Sequence, residues 1–423
     1  MNEDVIKKIT GEVVVALAQE NQKKVKKMSF AKREQIIAKI RSLTLENAEN
    51  FAKMAVEETG MGNVRDKIAK HRLVAEKTPG TEDITTKAWS GDDGLSLVEM
   101  SPFGVIGAIT PSTNPSETVI CNTIGMLAGG NTVVFSPHPG AMKASMAAIE
   151  MVNKAAEPFG VKIAFSAPSD VVMKHKAIPL IVATGGPGLV DAVLASGKRG
   201  IGAGAGNPPV LVDETADIKK AAQDIINGCT FDNNLPCIAE KSVVAIDSIA
   251  SQLMDSFENC YKATSAELAK LESLVITPKG LNRACVGKSA AWLLEAIGVK
   301  APNVRCIVFE GQMGQHLLME ELMMPILGMV RAKNFDDAVE KALILENGYG
   351  HSAHIHSKSI DRVTFYAKTM ETAILVKNAP SYTGLGFGAE GFCSFTIASR
   401  TGEGLTSAAT FTKQRRCVLG GTI

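Results

Sequence analysis

The hydrophobic pattern changes period partway along the chain. Through residues 12–77, in EVVVALAQENQKKVKKM and FAKREQIIAKIRSLTLENAENFAKMAVEET, apolar residues recur every three or four positions with Lys, Arg and Glu opposite. That period predicts helices with one solvated face. A turn-rich run at 78–92 leads into GLSLVEMSPFGVIGAIT, which has strand character. Short apolar runs then alternate with helix-period segments: strands at 105–110, 131–136 and 178–184, helices at 116–128, 140–156 and 189–197. Strands joined through helices imply a parallel sheet covered on both faces. After GIGAGAGNPPVLVDE the alternation restarts with a helix, ADIKKAAQDIING, a strand, SVVAI, and a mostly helical stretch at 249–274. Strands follow at VRCIVF, PILGMV, SAHIHS and AILVKN, with helices at 335–346 and 360–371, so a second α/β domain is expected. The tail, SAATFTKQRRCVL, reads as a strand that pairs elsewhere.

Composition narrows the function. At 423 residues the chain is long enough for two or three domains. Its 45 basic and 44 acidic residues balance, so charge favours neither nucleic acid nor an anionic membrane. No apolar run approaches the ~20 residues of a membrane span. The N-terminus, MNEDVIKKIT, lacks the apolar core of a signal peptide. The eight cysteines are scattered, without a C-x-x-C pair, which argues against a zinc site or a disulfide framework. A reducing cytoplasm is the expected setting, where a free thiol can do chemistry.

One cysteine stands apart. In TFDNNLPCIAE (230–240) a polar, turn-forming run after a helix delivers Cys237 between a proline and an apolar stretch. A thiol on such a loop is placed to be a nucleophile, its pKa set by surrounding charges and amides. The other reading is a small buried hydrophobe.

Several strands end in turns suited to a ligand, because sheets of this class bind at the C-terminal ends of their strands. Thr110-Pro111-Ser112-Thr113-Asn114-Pro115 ends a strand and opens a helix. The Asn114 amide could donate to a developing oxyanion, or it could cap the helix. Ser136-Pro137-His138-Pro139-Gly140 and Thr184-Gly185-Gly186-Pro187-Gly188 are small-residue turns that let a nucleotide approach the backbone. The second is not G-x-G-x-x-G, and no acidic residue about 20 positions later is placed for a ribose. His351, His354 and His356 fall in GHSAHIHSK, with His354 and His356 on one face of a strand and His351 on the other. No carboxylate or cysteine joins them at ligand spacing, so a proton acceptor is favoured over a metal site.

Taken together, ETGMGN (58–63), SPFGVIGAITPSTNP (101–115), FSPHPGA (135–141), ATGGPG (183–188), GAGAGNPPVLVDETADI (202–218), TFDNNLPCIAEKS (230–242), KNAPSYTGLG (377–386) and TIASRTGEGLTSA (396–408) resemble the aldehyde dehydrogenase superfamily, in its CoA-acylating propionaldehyde/acetaldehyde branch. The resemblance implies an α/β fold of two Rossmann-like domains with parallel sheets and a small oligomerisation hairpin and tail. Residues 1–82 and 101–204 would form the cofactor domain, 205–400 the catalytic cysteine domain, and 83–100 with 401–423 the oligomerisation elements.

It also implies roles. Cys237 matches the nucleophile, and Asn114 the asparagine that forms an oxyanion hole with the Cys237 N–H. His351 matches a histidine of acylating relatives and is the candidate base for the CoA thiol. The nicotinamide cofactor, NAD or NADP, would lie against Thr110, Pro111, Ser112, Thr113, Ser136, Pro137, His138, Pro139, Thr184, Gly185, Gly186 and Leu189. Glu321, in EELMMP, matches the glutamate that holds the nicotinamide ribose. No metal is implied. Ser136–Pro139 replace the superfamily's K-P-x-E run, so choice between NAD and NADP is not readable there.

The departure with most consequence is at Gly202, where hydrolytic members carry a general-base glutamate. Its loss disfavours water as acyl acceptor, and the glycine-rich strand from Gly202 to Pro208 is expected to open space beside the cysteine for CoA. The expected reaction is reversible oxidation of propanal or acetaldehyde to acyl-CoA through a Cys237 thioester. The alternatives are a hydrolytic aldehyde dehydrogenase giving the free acid, and a non-catalytic member associated with a bacterial microcompartment. The resemblance further implies a homodimer or homotetramer, in the cytoplasm or inside a microcompartment with shell proteins as partners. The amphipathic segment DVIKKITGEVVVAL (4–17) is assigned to packing as the first domain helix.

Overall fold

The computed structural model describes residues 3–278 and 280–421. The chain divides into a first unit, Met1–Thr59, Ile68–Ala203 and Phe392–Ile423, and a second, Gly60–Lys67 and Gly204–Gly391. The short segment Gly60–Lys67 thus groups with the cysteine-bearing half, although the sequence places it with the N-terminal helices. No helix among the described residues is long and apolar enough to cross a membrane.

Helices α1 (Glu3–Val25), α2 (Phe30–Thr59) and α3 (Val64–Lys77) come first, then strands β1 (Lys87–Gly91) and β2 (Gly94–Pro102). The alternating segment follows as β3 (Val105–Ile109), α4 (Pro115–Ala128), β4 (Thr132–Ser136), α5 (Met142–Ala156), β5 (Ala164–Ser166), α6 (Ser169–Lys174), β6 (Leu180–Thr184), α7 (Pro187–Leu194) and β7 (Arg199–Ala203). Its strands lie in the order β5-β4-β3-β6-β7, every pair parallel. The chain runs from β3 outward to β4 and returns on the other side to β6. The turns after β3 and β6 therefore flank the topological switch point, where open α/β sheets hold ligands. Strands β3 and β4 are buried along their length, as their unbroken apolar runs require. Helix α1 contributes Val15 and Ala18 to the core beneath this sheet, beside Val105 and Val134. Its Ile9, Val13 and Leu17 stay exposed; the side chains of residues 3–8 are outside those described, so the amphipathic reading of 4–17 is carried by its second half.

The second unit contains β8 (Pro209–Val212), α8 (Ile218–Thr230), β9 (Ser242–Ile246), α9 (Asp247–Asp255), β10 (Cys260–Lys262), α10 (Ser265–Val275), a two-residue ladder of β11 (Ile276–Thr277) with β12 (Gly280–Leu281), and α11 (Ala290–Ala296). It continues with β13 (Cys306–Glu310), α12 (His316–Met319), β14 (Ile326–Ala332), α13 (Phe335–Glu346), β15 (Ser352–His356), α14 (Ile360–Met370) and β16 (Ile374–Lys377). These strands form a seven-stranded sheet in the order β10-β13-β14-β9-β8-β15-β16, again wholly parallel. The small strands β17 (Ile397–Ala398) and β18 (Gly404–Leu405) pair with each other, and β19 (Thr412–Gly420) ends the chain. Strand β19 pairs antiparallel with β2 from Thr412↔Pro102 to Gly420↔Gly94, completing a three-stranded sheet with β1 in the first unit.

Three expectations change. The stretch 249–274 is not continuously helical: Cys260–Lys262 leaves the helix to form an edge strand. Strands β5 and β7 fall where no strand is expected, since three residues and a glycine-rich run carry too little period to register. Helix α3 does not keep all its charges in water: Lys67, Lys70 and His71 are fully buried.

Candidate active site

The loop that carries Cys237 is built from left-handed backbone. Asp232, Asn233 and Asn234 have φ of 48°, 55° and 64°. Asn and Asp tolerate that region because their short polar side chains bond locally. Asp232 receives the Asn63 N–H at 2.9 Å and pairs with the Lys67 ammonium at 3.0 Å, both side chains fully buried. Asn234 donates to the Cys229 carbonyl at 2.8 Å and the Glu240 carbonyl at 3.0 Å, tying both ends of the loop together. The Lys241 ammonium donates to the Asn234 carbonyl at 2.9 Å and to Asn234 Oδ1 at 2.5 Å. The polar run that marked this stretch is therefore an internally bonded clamp around the cysteine. Gly228 has its own reason: a methyl there would meet Glu240 Oε2 at 2.1 Å. Glu240 is fully buried, and burial pushes its carboxyl up to about 8.

Cys237 is partly exposed, the condition a nucleophile needs. Its sulfur nevertheless sits in a dehydrated recess. Burial, reinforced by the nearby Glu321 charge, pushes its pKa up to about 12; Lys241 and the amides of Cys237 and Ile238 pull the other way. The resting group is a thiol that must lose its proton before attack.

Three further residues surround it within the second unit. A methyl on Gly206 would lie 2.8 Å from His351 Cγ and 2.9 Å from the Cys237 carbonyl oxygen. Gly206 also donates its N–H to Glu321, whose carboxyl burial lifts to about 7. His351 is fully buried; its Nδ1 lies 2.7 Å from Ser352 Oγ, while Nε2 has no hydrogen-bond partner. Burial, with Lys241 and His354 nearby, lowers its pKa to about 3, so the imidazole is neutral. His354 bonds the Ile238 carbonyl at 2.9 Å, and His356 is buried as well. His351 precedes β15 rather than lying on the strand. No group of three or more His, Cys, Asp or Glu residues that could hold a metal occurs among the described residues.

Gly206, Cys237, Glu321 and His351 all lie just before strands β8, β9, β14 and β15. In the second unit the cluster thus gathers at the N-terminal ends of a parallel sheet, opposite to the usual location.

Gly202 is closely packed within the first unit. It lies in β7 of the first unit, and a Cβ there would meet Val190 Cγ1 of α7 at 2.5 Å. That helix fills the space a side chain would need. Gly206, four positions on, is the glycine whose bareness the Cys237 backbone requires.

The remaining residues of interest lie at strand ends in the first unit. Asn114 opens α4 but makes no side-chain cap bond, so the capping alternative is not what holds it. Its Oδ1 accepts instead from Lys70 Nζ, and its Nδ2 lies 3.3 Å from Thr113 Oγ1. Lys70 also faces Glu117 at 3.3 Å, both side chains fully buried. With the oxygen end fixed by an ammonium, the Nδ2 end is the one that donates, here to Thr113 Oγ1. Lys70 carried no sequence signal, because a lysine on an otherwise polar helix reads as solvated.

Thr110, Pro111, Ser112 and Thr113 follow β3; Thr184, Gly185 and Gly186 follow β6, with Leu189 one turn into α7. The Thr110 hydroxyl is buried without a partner. Methyl groups on Gly186 or Gly188 would touch nothing within 4 Å, leaving the start of α7 open to a ligand backbone. An open glycine turn and an orphaned hydroxyl at the switch point fit a dinucleotide. At the end of β4, Ser136 and Pro137 are buried while His138 and Pro139 are exposed. His138 Nδ1 accepts the Gly140 N–H at 3.0 Å.

The chain matches the aldehyde dehydrogenase family over residues 7–388. It is 46% identical over 396 residues to the CoA-propanoylating propanal dehydrogenase of Citrobacter freundii, covering 90% of this chain and 86% of that protein. A propionaldehyde dehydrogenase from the Clostridium phytofermentans fucose utilisation bacterial microcompartment superposes with a TM-score of 0.96, at 68% identity over 98% of each chain. The Rhodopseudomonas palustris propionaldehyde dehydrogenase, crystallised with bound CoA and an acylated cysteine, superposes with a TM-score of 0.95, at 48% identity over 97% of each chain.

Proposed function

The chain belongs to the aldehyde dehydrogenase family, and from that premise we propose that it is a CoA-acylating aldehyde dehydrogenase, converting propanal or acetaldehyde to the acyl-CoA with a nicotinamide cofactor. The observation that carries the reading is the partly exposed Cys237 thiol on its clamped loop, in a chain closely similar to CoA-propanoylating enzymes.

In this proposal Cys237 is the nucleophile. Its proton must first leave, and Glu321, with a carboxyl near pH 7 and a field felt at the sulfur, is the acceptor the second unit offers. The thiolate adds to the aldehyde carbonyl, and Asn114 Nδ2 with a backbone N–H stabilises the oxyanion. The turns after β3 and β6 would hold the nicotinamide cofactor, which when bound would provide the hydride acceptor. Loss of hydride from the thiohemiacetal leaves a thioester on Cys237. The CoA thiol then attacks, and the unpartnered Nε2 of neutral His351 receives its proton. Because its pKa is near 3, His351 passes that proton on rather than keeping it. Gly202 carries no carboxylate to activate water, which favours CoA over hydrolysis.

Microcompartment residence and a homo-oligomer built on the β1-β2-β19 sheet belong to the same proposal. They rest on the setting of the Clostridium relative and on the exposed outer strand β19.

The test is NADH or NADPH formation across C2–C4 aldehydes, with and without CoA. Turnover should depend on CoA and vanish in Cys237→Ala. CoA-independent formation of the free acid at the same rate would overturn the proposal in favour of the hydrolytic reading.

A further inference from the structure

Three of the remaining cysteines stand together, outside the cluster around Cys237. Cys260 and Cys306 are direct partners on the adjacent parallel strands β10 and β13. Directly paired residues on neighbouring strands point to the same face, with backbones about 4.8 Å apart. That separation falls inside the range a disulfide spans. The third, Cys229, comes from the last turn of α8, and its Sγ lies 3.8 Å from Cys306 Sγ. Cys306 and Cys229 are buried, whereas Cys260, on the edge strand, is partly exposed. One sulfur therefore meets solvent and two stand behind it.

The row leads to the Cys237 loop. Asn234 Nδ2, which donates to the Cys229 carbonyl, also lies 3.4 Å from Cys229 Sγ. A change of bonding at Cys229 is felt directly by the residue that closes the loop.

We propose that Cys260, Cys306 and Cys229 form a thiol relay that takes up a hydroperoxide at Cys260 and stores the oxidation as a Cys260–Cys306 disulfide. In the first step the Cys260 thiolate attacks one oxygen of the hydroperoxide. An S–O bond forms, the O–O bond breaks, and the second oxygen leaves as water or an alcohol after protonation. The sulfur, oxidised by two electrons, is a sulfenic acid. In the second step the Cys306 sulfur attacks Cys260, the S–S bond forms, and the S–O bond breaks. The hydroxide leaves as water with the Cys306 proton. Cys229 can then attack Cys306 by thiol–disulfide exchange, returning its proton to the released Cys260. The Cys306 thiol that bonds it, with a smaller pull from Arg305, lowers the Cys260 pKa against the opposing effect of burial, as a peroxide-reactive thiol requires.

The experiment treats the full-length protein with equimolar hydrogen peroxide, blocks remaining thiols with N-ethylmaleimide, and maps peptides by mass spectrometry without reduction. The expected product is a Cys260–Cys306 cross-link, with Cys229–Cys306 as its exchange product. Both should revert with dithiothreitol and be absent in Cys260→Ser. In Cys306→Ser, dimedone should trap the Cys260 sulfenic acid. Cys285→Ser should leave the cross-link unchanged. The proposal is overturned if wild-type protein shows no cross-link among these three residues while Cys237 is oxidised, or if Cys260 proceeds to the sulfinic acid without forming one. The wild-type map needs no variant to fold.

Discussion

Gly206→Ala is the substitution that tests the cysteine cluster most directly. The new methyl would sit 2.9 Å from the Cys237 carbonyl oxygen, 2.8 Å from His351 Cγ and 3.1 Å from His351 Nδ1. Ordinary carbon contacts are about 3.5–4.0 Å, so two neighbours must each retreat by several tenths of an ångström. Neither is the far end of a flexible chain. The carbonyl belongs to a loop fixed by Lys241, Asn234 and Asp232, and the imidazole is buried with its Nδ1 at Ser352. Forcing an extra methyl into such packing costs about 1–3 kcal/mol of stability. The kinetic effect should be larger in proportion, because a displacement approaching 1 Å at a reacting group costs about 10²-fold. The expected result is a folded enzyme, moderately destabilised in thermal and urea unfolding, whose CoA-dependent kcat/KM falls about 10–10²-fold at a temperature where it remains native. Unchanged turnover together with unchanged stability would mean that the Cys237 carbonyl and His351 can move apart freely. The account of a rigid loop beside Gly206 would then be wrong.

Asn114→Ala should lower kcat about 10²–10³-fold through loss of an oxyanion donor, and should also lower the melting temperature, because the buried Lys70 ammonium loses an acceptor. A stability loss without the kinetic loss would leave Asn114 a structural role only. Glu321 has its folded pKa raised to about 7, so its carboxylate is populated only as pH rises through 7. The rate of acyl-enzyme formation should climb through that range in the wild type, and Glu321→Gln should flatten the climb; an unaltered profile would assign the proton acceptor elsewhere. Gly202→Glu should destabilise the first unit, since its first carbon already meets Val190 at 2.5 Å. A variant with unchanged melting temperature would show that α7 can withdraw.

Much of the fold was legible because burial on both faces leaves a plain signature. The runs at Val105–Ile109, Thr132–Ser136, Ser242–Ile246 and Ile326–Ala332 are apolar almost throughout, and each is a central strand. Strands β5, β7 and β10 escaped because three residues, or a run thinned by glycine, fall below the length at which a period can be read. Lys67 and Lys70 escaped for the opposite reason. Their pattern was clear and pointed to solvent, but each finds a buried carboxylate far away in sequence.

Sequence alone determined that this chain is an α/β protein with parallel sheets, which family it resembles, and that Cys237 stands on a loop unlike the settings of the other cysteines. These are properties of residue type, spacing and local backbone preference. Tertiary structure decided where the charges and the empty spaces lie. It put the Cys237 cluster at the N-terminal ends of its strands, gave Asn114 a buried lysine in place of a helix cap, and set Gly206 against the Cys237 carbonyl while packing Gly202 against α7. The reason is that burial, field and steric room are set by neighbours distant along the chain. The same glycine-rich run supplies one residue packed against a helix and another bare beside a cysteine, and only the path of the backbone between them says which is which.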